Sequence, residues 1–342
     1  MAPAPPGQVA CCVGWVKHLV VIGASAGGVH ALSALVARLP ADFPAPVLIV
    51  LHIGAHRSIL AEILDRSGPL PVEQARQGRS IEAGRVYVAA PDRHLLVIDD
   101  TIHLSLGAKQ HHTRPAVDPL FLSAALAHGT RAIGVVLTGR LDDGTAGLQA
   151  IKLCGGTAVV QDPADADVPD MPASALRHVD VDHCVPLAEM APLLASLASR
   201  AVETTQPGPP PAPLVHEQAL FLSKGNPMEH LALIGSPSSY ACPECHGGLW
   251  EVNGAQPRRF RCHTGHGFTL RTLQDTLAEA TDESLWNARR AVQERLLLLR
   301  EMETAPDEDA VRPQAVAGAA ARPESQLGQL ERLLSELPDP VE

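Results

Sequence analysis

Three short segments carry the residue types that hydrolytic chemistry uses. Residues 23–28 read Gly-Ala-Ser-Ala-Gly-Gly around Ser25, His52 directly follows the aliphatic run Val-Leu-Ile-Val-Leu, and residues 138–144 read Thr-Gly-Arg-Leu-Asp-Asp-Gly around Asp142 and Asp143. A serine hydroxyl is a weak nucleophile at neutral pH until a histidine within hydrogen-bond reach takes its proton. That histidine in turn needs a buried acid to fix its tautomer. A serine, a histidine and an aspartate at three strand ends would fill these roles. Backbone amides next to Ser25, that of Ala26 first, would form an oxyanion hole. Two other readings of residues 23–28 stay open here. One is a dinucleotide fingerprint, the other a plain strand–helix turn with Ser25 as the helix N-cap. A dinucleotide site wants an acidic residue at the end of the next strand, where this chain has His52.

A second cluster lies far downstream. Cys242 and Cys245 form a C-x-x-C pair, followed after sixteen residues by Cys262, His263 and His266. Zinc takes four tetrahedral sulfur and nitrogen ligands, and two thiolates on a tight turn are a common half-site. A redox dithiol would need no second half-site. The expected ligands are Cys242, Cys245, Cys262 and His266, a protein-filled and hence structural zinc site. His263 adjoins Cys262, and neighbouring side chains of an extended segment point to opposite sides.

The remaining sequence must position these groups. At 342 residues, with 46% hydrophobic and 19% charged, the chain is an ordinary globular sequence with room for two domains. A net charge of −11 argues against a phosphate-tracking nucleic-acid binder. The aliphatic runs fall far short of the about 20 residues a membrane span takes. The N-terminus lacks a basic region followed by a long apolar core, so a cytoplasmic protein is expected. Short aliphatic runs at 19–22, 47–51, 86–88, 133–137 and 157–160 alternate with helix-period stretches. This predicts an α/β fold, a doubly wound and mainly parallel Rossmann-like sheet. Val29, Leu32, Leu35, Val36 and Leu39 mark the apolar side of the first helix, which Pro40 stops. Residues 95–106 read as a hairpin appended to the sheet.

Beyond the sheet, residues 206–213 read Gln-Pro-Gly-Pro-Pro-Pro-Ala-Pro, an extended spacer. The expected organisation is an N-terminal extension (1–17), a catalytic domain (18–200), a proline-rich linker (201–215), a zinc-ribbon-like module (216–270) and a helical tail (271–342). The tail is expected to be mobile near 304–325 and to end in an amphipathic helix bearing Leu327, Leu330, Leu334 and Leu337. Because the spacer separates them, catalysis is expected to be independent of the module.

Several blocks carry a resemblance. Val-Val-Ile-Gly-Ala-Ser-Ala-Gly-Gly-Val (20–29), His52, and the stretches 84–94, 114–121, 135–148, 159–163 and 171–176 occur in the same order as in the catalytic domain of the bacterial chemotaxis protein-glutamate methylesterase/glutaminase. The chain over 18–199 resembles that family. The resemblance implies a Ser-His-Asp triad of Ser25, His52 and Asp143, with Asp142 as second choice. It also implies backbone oxyanion donors at Ala26 and Arg140, no catalytic cofactor, and hydrolysis of glutamyl methyl esters on methylated chemoreceptors or similar helical signalling proteins. The order Ser, His, Asp differs from an α/β-hydrolase, which would have to recruit His178 or His183. Where the family typically has Met-Gly-Asn, this chain has Arg140-Leu141-Asp142, which puts a guanidinium on the acid loop. Only 18 residues precede the first expected strand, so control by an attached receiver domain is not expected. The Cys/His segment resembles the zinc-ribbon-like tail of some stand-alone relatives, with partner recognition as its expected role.

The remaining polar residues have milder readings. His94, Arg114 and Asp118 either line the cleft or serve as structural hydrogen-bonding groups. His111 and His112 read as a solvated loop, and Cys154 and Cys184 as buried core thiols. Cys11 and Cys12 have no assigned role. Two functions compete: a serine hydrolase acting on protein side-chain esters or amides, and a regulatory binding module on a degenerate esterase fold.

Overall fold

The computed structural model describes residues 18–201, 209–304 and 313–335. The N-terminal extension with Cys11 and Cys12, part of the spacer, and Leu337 lie outside the described residues. The described residues up to Thr272 form one compact unit and those from Leu273 onward a second.

The first unit opens with β1 (Leu19–Ala24), α1 (Gly28–Val36), β2 (Val47–Leu51), α2 (Leu60–Ser67), β3 (Val72–Gln74) and β4 (Val86–Val88). A hairpin follows, β5 (His94–Ile98) and β6 (Thr101–Ser105), and then α3 (Val117–His128) and β7 (Ala132–Val136). The sheet is completed by α4 (Thr145–Leu153), β8 (Thr157–Gln161), α5 (Asp170–His178), β9 (His183–Val185) and α6 (Leu187–Ala198). Seven strands pair in the order β3-β4-β2-β1-β7-β8-β9, every pair parallel. The hairpin forms its own two-stranded sheet and is not an appended pair of strands.

Burial explains why β1 sits at the centre. All six of its residues are buried, and they alternate between two cores as the pleat requires. Leu19 and Val21 join α3, α4 and α5 through Phe121, Leu148 and Ala175, whereas Val20 and Ile22 join α1 and α6 through Leu32, Leu35 and Leu194. Val29, expected on the buried side of α1, is 45% exposed, because the helix turns its Leu32–Leu35–Val36 stripe to the sheet. The chain runs outward from β1 to β2 and β4, then returns to the other side of β1 at β7. That reversal creates the crevice in which open α/β sheets bind ligands.

The spacer gives way to structure earlier than the sequence suggests. Pro211 is the N-cap of α7 (Ala212–Phe221), with Pro213 within its first turn, a position that tolerates a missing N–H. Leu214 and Phe221 of this helix are buried in the core of the sheet domain. Next come α8 (Pro227–Ile234) and a four-stranded antiparallel sheet of β10 (Gly235–Ala241), β11 (Gly248–Val252), β12 (Arg259–Cys262) and β13 (Gly267–Thr269). Buried Glu217 of α7 accepts hydrogen bonds from Arg259 (2.9 Å) and Arg261 (3.3 Å) of β12. The Cys/His sheet is therefore packed onto the catalytic domain, not suspended from a linker.

Helix α9 (Leu270–Thr304) begins at the end of β13, and α10 (Pro313–Ser335) completes the chain's described part. Of the stretch 304–325, residues 305–312 lie outside the described residues and 313–325 are helical. Within the second unit Arg289 pairs with Glu331 and Arg300 with Glu324, both at 3.8 Å. Leu327, Leu330 and Leu334 are half-buried.

Candidate active site

Three adjacent strands, β2, β1 and β7, end at the crevice, and their ends are stitched together. The His52 amide donates to the Ala24 carbonyl (3.3 Å) and the Ser25 amide to the Thr138 carbonyl (2.9 Å). This brings together side chains far apart in the chain. Ser25 Oγ–H donates to His52 Nδ1 at 3.0 Å, and His52 Nε2–H donates to Asp143 Oδ2 at 2.7 Å. Ser25 is half-buried, while the His52 and Asp143 side chains are 15% and 2% exposed. The serine end of the relay is thus the more open to solvent and the acid end is closed to it.

Asp143 is held by more than His52. Its Oδ2 also accepts from the Val117 amide (2.6 Å), and Oδ1 accepts from the amides of Asp118 (3.0 Å) and Gly144 (2.9 Å). Burial alone would raise its pKa. The His52 hydrogen bond and the nearby His111 outweigh burial and hold the carboxyl well below the usual carboxylate range. Asp142, the second choice for the acid, points elsewhere, accepting from Thr269 Oγ1 at 3.0 Å. Burial pushes its carboxyl up.

The turn readings are resolved locally. The N-cap of α1 is Gly27 with φ of 77°, a left-handed conformation that suits glycine, so Ser25 is free of the capping role. Gly139 brings the acid loop against the serine. A Cβ there would lie 2.1 Å from Met171 Sδ and 2.7 Å from Ser25 Cβ. Around the serine, backbone donors are largely spent: Gly28 on the Ser25 carbonyl and Gly139 on Val168. Among the described residues the amides of Ala26 and Arg140 donate to no such carbonyl, and the Arg140 side chain is exposed.

The other expected cleft residues are committed to internal bonds. His94 is buried, with Nε2 on the Ala108 carbonyl, and burial lowers it to about 4. Arg114 pairs with Asp92 (2.7 Å) and with the carbonyls of Leu106 and Gly107. Buried Asp118 accepts from the amides of Gly144 and Gly147, which open α4. His111, expected in a solvated loop, is buried and donates from Nε2 to Asp118 Oδ2 at 2.9 Å. Its partners lie seven residues on and across the domain, which left no sign in the sequence. Burial opposes its charge, yet the Asp118 hydrogen bond and the carboxylates of Asp143, Asp118 and Asp142 raise it to about 9. Cys154, at the C-terminal cap of α4, is half-buried against the main core, whereas Cys184 lies exposed on the edge strand β9 and is not a core thiol.

The Cys/His cluster converges as well. The ligand atoms of Cys242, Cys245, Cys262 and His266 all lie within 4.8 Å of one another. Cys245 Sγ is 3.6 Å from Cys262 Sγ, and His266 Nδ1 is 3.4 Å from Cys262 Sγ and 3.7 Å from Cys242 Sγ. A tetrahedron with Zn–S bonds of about 2.3 Å has edges of roughly 3.8 Å, so this donor set fits zinc. His263 is exposed over Gly247.

Comparison with known proteins gives a consistent answer. The family described as "CheB methylesterase" matches residues 20–194. A Leptospira interrogans relative is 39% identical over 186 residues, covering 54% of this chain and 96% of its own. An Anaeromyxobacter dehalogenans protein named protein-glutamate methylesterase/protein-glutamine glutaminase 2 is 42% identical over 181 residues, 53% of this chain and 53% of that protein. The crystal structure of the Thermotoga maritima CheB methylesterase catalytic domain superposes with a TM-score of 0.51 at 33% identity, covering 53% of this chain and 98% of that one. With the parallel sheet and the strand-end site already in place, this chain belongs to the CheB methylesterase family.

Proposed function

We propose that the chain hydrolyses glutamyl methyl esters, and deamidates glutamine side chains, on methylated chemoreceptors or similar helical signalling proteins in the cytoplasm. The observation that carries this is His52, hydrogen-bonded to Ser25 on one side and to Asp143 on the other. The Ser25 Oγ attacks the ester carbonyl while His52 Nδ1 takes its proton, and Asp143 stabilises the imidazolium. The negative oxygen of the tetrahedral intermediate is met by the Ala26 and Arg140 amides. Collapse breaks the C–O bond, and His52 Nδ1–H protonates the departing methoxide, releasing methanol. Water, deprotonated by the same nitrogen, then cleaves the acyl-serine and leaves glutamate. For glutamine the leaving group is ammonia. A degenerate binding module would have no reason to keep this relay fully bonded.

Zinc held by Cys242, Cys245, Cys262 and His266 acts structurally, since four protein ligands leave no open position for chemistry. No described helix is long and apolar enough to cross a membrane, in keeping with a protein that meets receptor tails from the cytoplasmic side. The deciding experiment is methanol release from methylated receptor membranes by the pure chain. Release by the wild type and its loss in Ser25→Ala supports the proposal; equal release by both overturns it.

A further inference from the structure

The Cys/His module bonds to two catalytic-domain loops that lie beside the triad acid. Both loops carry backbone that ordinary residues adopt at a cost: His111 and His112 have φ of 50° and 61°, and Leu141 has φ of 65°. Each is braced from the module side. The His111 amide donates to the Gly267 carbonyl (2.8 Å), and His111 Nδ1 lies 3.4 Å from Thr272 Oγ1. Gln110 donates to the Gly265 carbonyl (2.9 Å) and accepts from Arg261 (2.9 Å). His112 pairs with Glu244. On the acid loop, Thr269 Oγ1 donates to Asp142 Oδ1, and Arg271 pairs with Asp170, whose carboxylate accepts the Leu141 amide. Between the two loops lie three buried carboxylates, Asp118, Asp142 and Asp143, with His111 bonded to the first and 3.7 Å from the last.

We propose that Thr269 and His111 are positioning residues for the triad acid, and that the Cys/His module carrying Thr269 is thereby a working part of the active site. Thr269 Oγ1–H satisfies the buried Asp142 carboxylate, and this fixes the residue next to Asp143. His111, held by Gly267 and Thr272, fixes Asp118, which in turn binds the Gly144 and Gly147 amides at the start of α4. The acid loop is clamped from both ends, and Asp143 keeps its distance to His52. This rests on reading Ser25, His52 and Asp143 as the triad.

Thr269 also accepts from the Thr272 amide at 3.2 Å and so caps the start of α9, which the test must separate from its bond to Asp142. Thr269→Val loses both bonds, Thr269→Ser keeps both, and Thr269→Asp keeps the cap while losing the donor. In the full chain, kcat and KM for methanol release are measured together with the low-field NMR resonance of the His52 Nε2 proton. A hydrogen bond to a buried charge is worth about a tenfold change or more, so the valine and aspartate variants should lose about tenfold in kcat with KM nearly unchanged. Their His52 resonance should shift or broaden, and serine should restore both readouts. A normal kcat and resonance in Thr269→Asp would reduce Thr269 to a helix cap and overturn the proposal. If the wild type releases no methanol, or Ser25→Ala releases as much, the hydrolase reading fails. The resonance still decides whether Thr269 positions the acid.

Discussion

Replacing Asp143 with asparagine tests the relay most directly, because the structure shows what the new amide must face. The carboxylate accepts His52 Nε2–H and the Val117 amide on Oδ2, and the Asp118 and Gly144 amides on Oδ1. Every neighbour is a donor, so the asparagine NH2 meets two donors whichever way it turns. With NH2 toward His52, the imidazole must move its proton to Nδ1, where it can no longer take one from Ser25, and the Val117 amide is orphaned. With NH2 toward the other pair, the Asp118 amide is orphaned, while Gly144 keeps its bond to Asp118 Oδ1 (3.0 Å). Each orphaned buried amide costs about 1–3 kcal/mol, which is similar in both orientations, so a large share of molecules carries the wrong tautomer. Together with the lost charge that stabilised the imidazolium, this should lower kcat by ~10³–10⁴. Methanol release gives the rate, and thermal unfolding shows that the variant folds. Asp142→Asn, whose carbonyl can still accept from Thr269, should be mild. A folded Asp143→Asn with a kcat close to that of the wild type would refute the assignment of the acid.

Gly139→Ala should lose activity although Gly139 is not itself a triad residue, because its Cβ collides with Met171 and with Ser25; overpacking of this kind costs about 1–3 kcal/mol, read as a lower kcat and melting temperature. His111 is raised from 6.5 to about 9 against Asp118, Asp142 and Asp143, worth roughly 3 kcal/mol. That stability is whole below pH 6.5 and lost as pH rises through about 9, so the gap in melting temperature between wild type and His111→Gln should close over that window; a constant gap would show that His111 stays neutral. Elemental analysis should find one zinc per chain, absent from Cys262→Ser. That variant should be cut readily by protease within residues 240–268 and, against the independence expected from the proline-rich spacer, should lose about tenfold in kcat.

The sequence made the centre of the sheet legible and its edges obscure, for a physical reason. β1, β2 and β7 are buried on both faces and so appear as mainly aliphatic runs, and Ser25, His52 and the Asp142-Asp143 pair could be found because each follows such a run, the resemblance alone choosing Asp143 over Asp142. The edge strands β3 and β9 are three half-exposed residues each, Val-Glu-Gln and His-Cys-Val, with no apolar run to mark them. The docking of the module was hidden because it depends on polar bonds between distant positions, such as Gln110 to Gly265 and His111 to Gly267. Proline density misled at the spacer: Pro211 starts a helix as readily as it extends a chain, and the apolar residues that decided the matter, Leu214 and Phe221, come later.

The place of β1 between β2 and β7 also determines when the protein acquires its chemistry during synthesis. Ser25 and His52 follow neighbouring strands made one after the other, but the acid arrives in the loop after β7, whose Ala132 pairs with Leu19 across more than a hundred intervening positions. Non-local parallel pairing of this kind must close a long loop before any contact rewards it. A ribosome-bound chain that has emerged past β2 but not as far as β7 holds Ser25 and His52 without Asp143 to orient the ring. On the proposed triad, the nascent polypeptide is expected to be inert toward esters until β7 and the turn after it have emerged, with the nucleophile armed only when the central sheet closes.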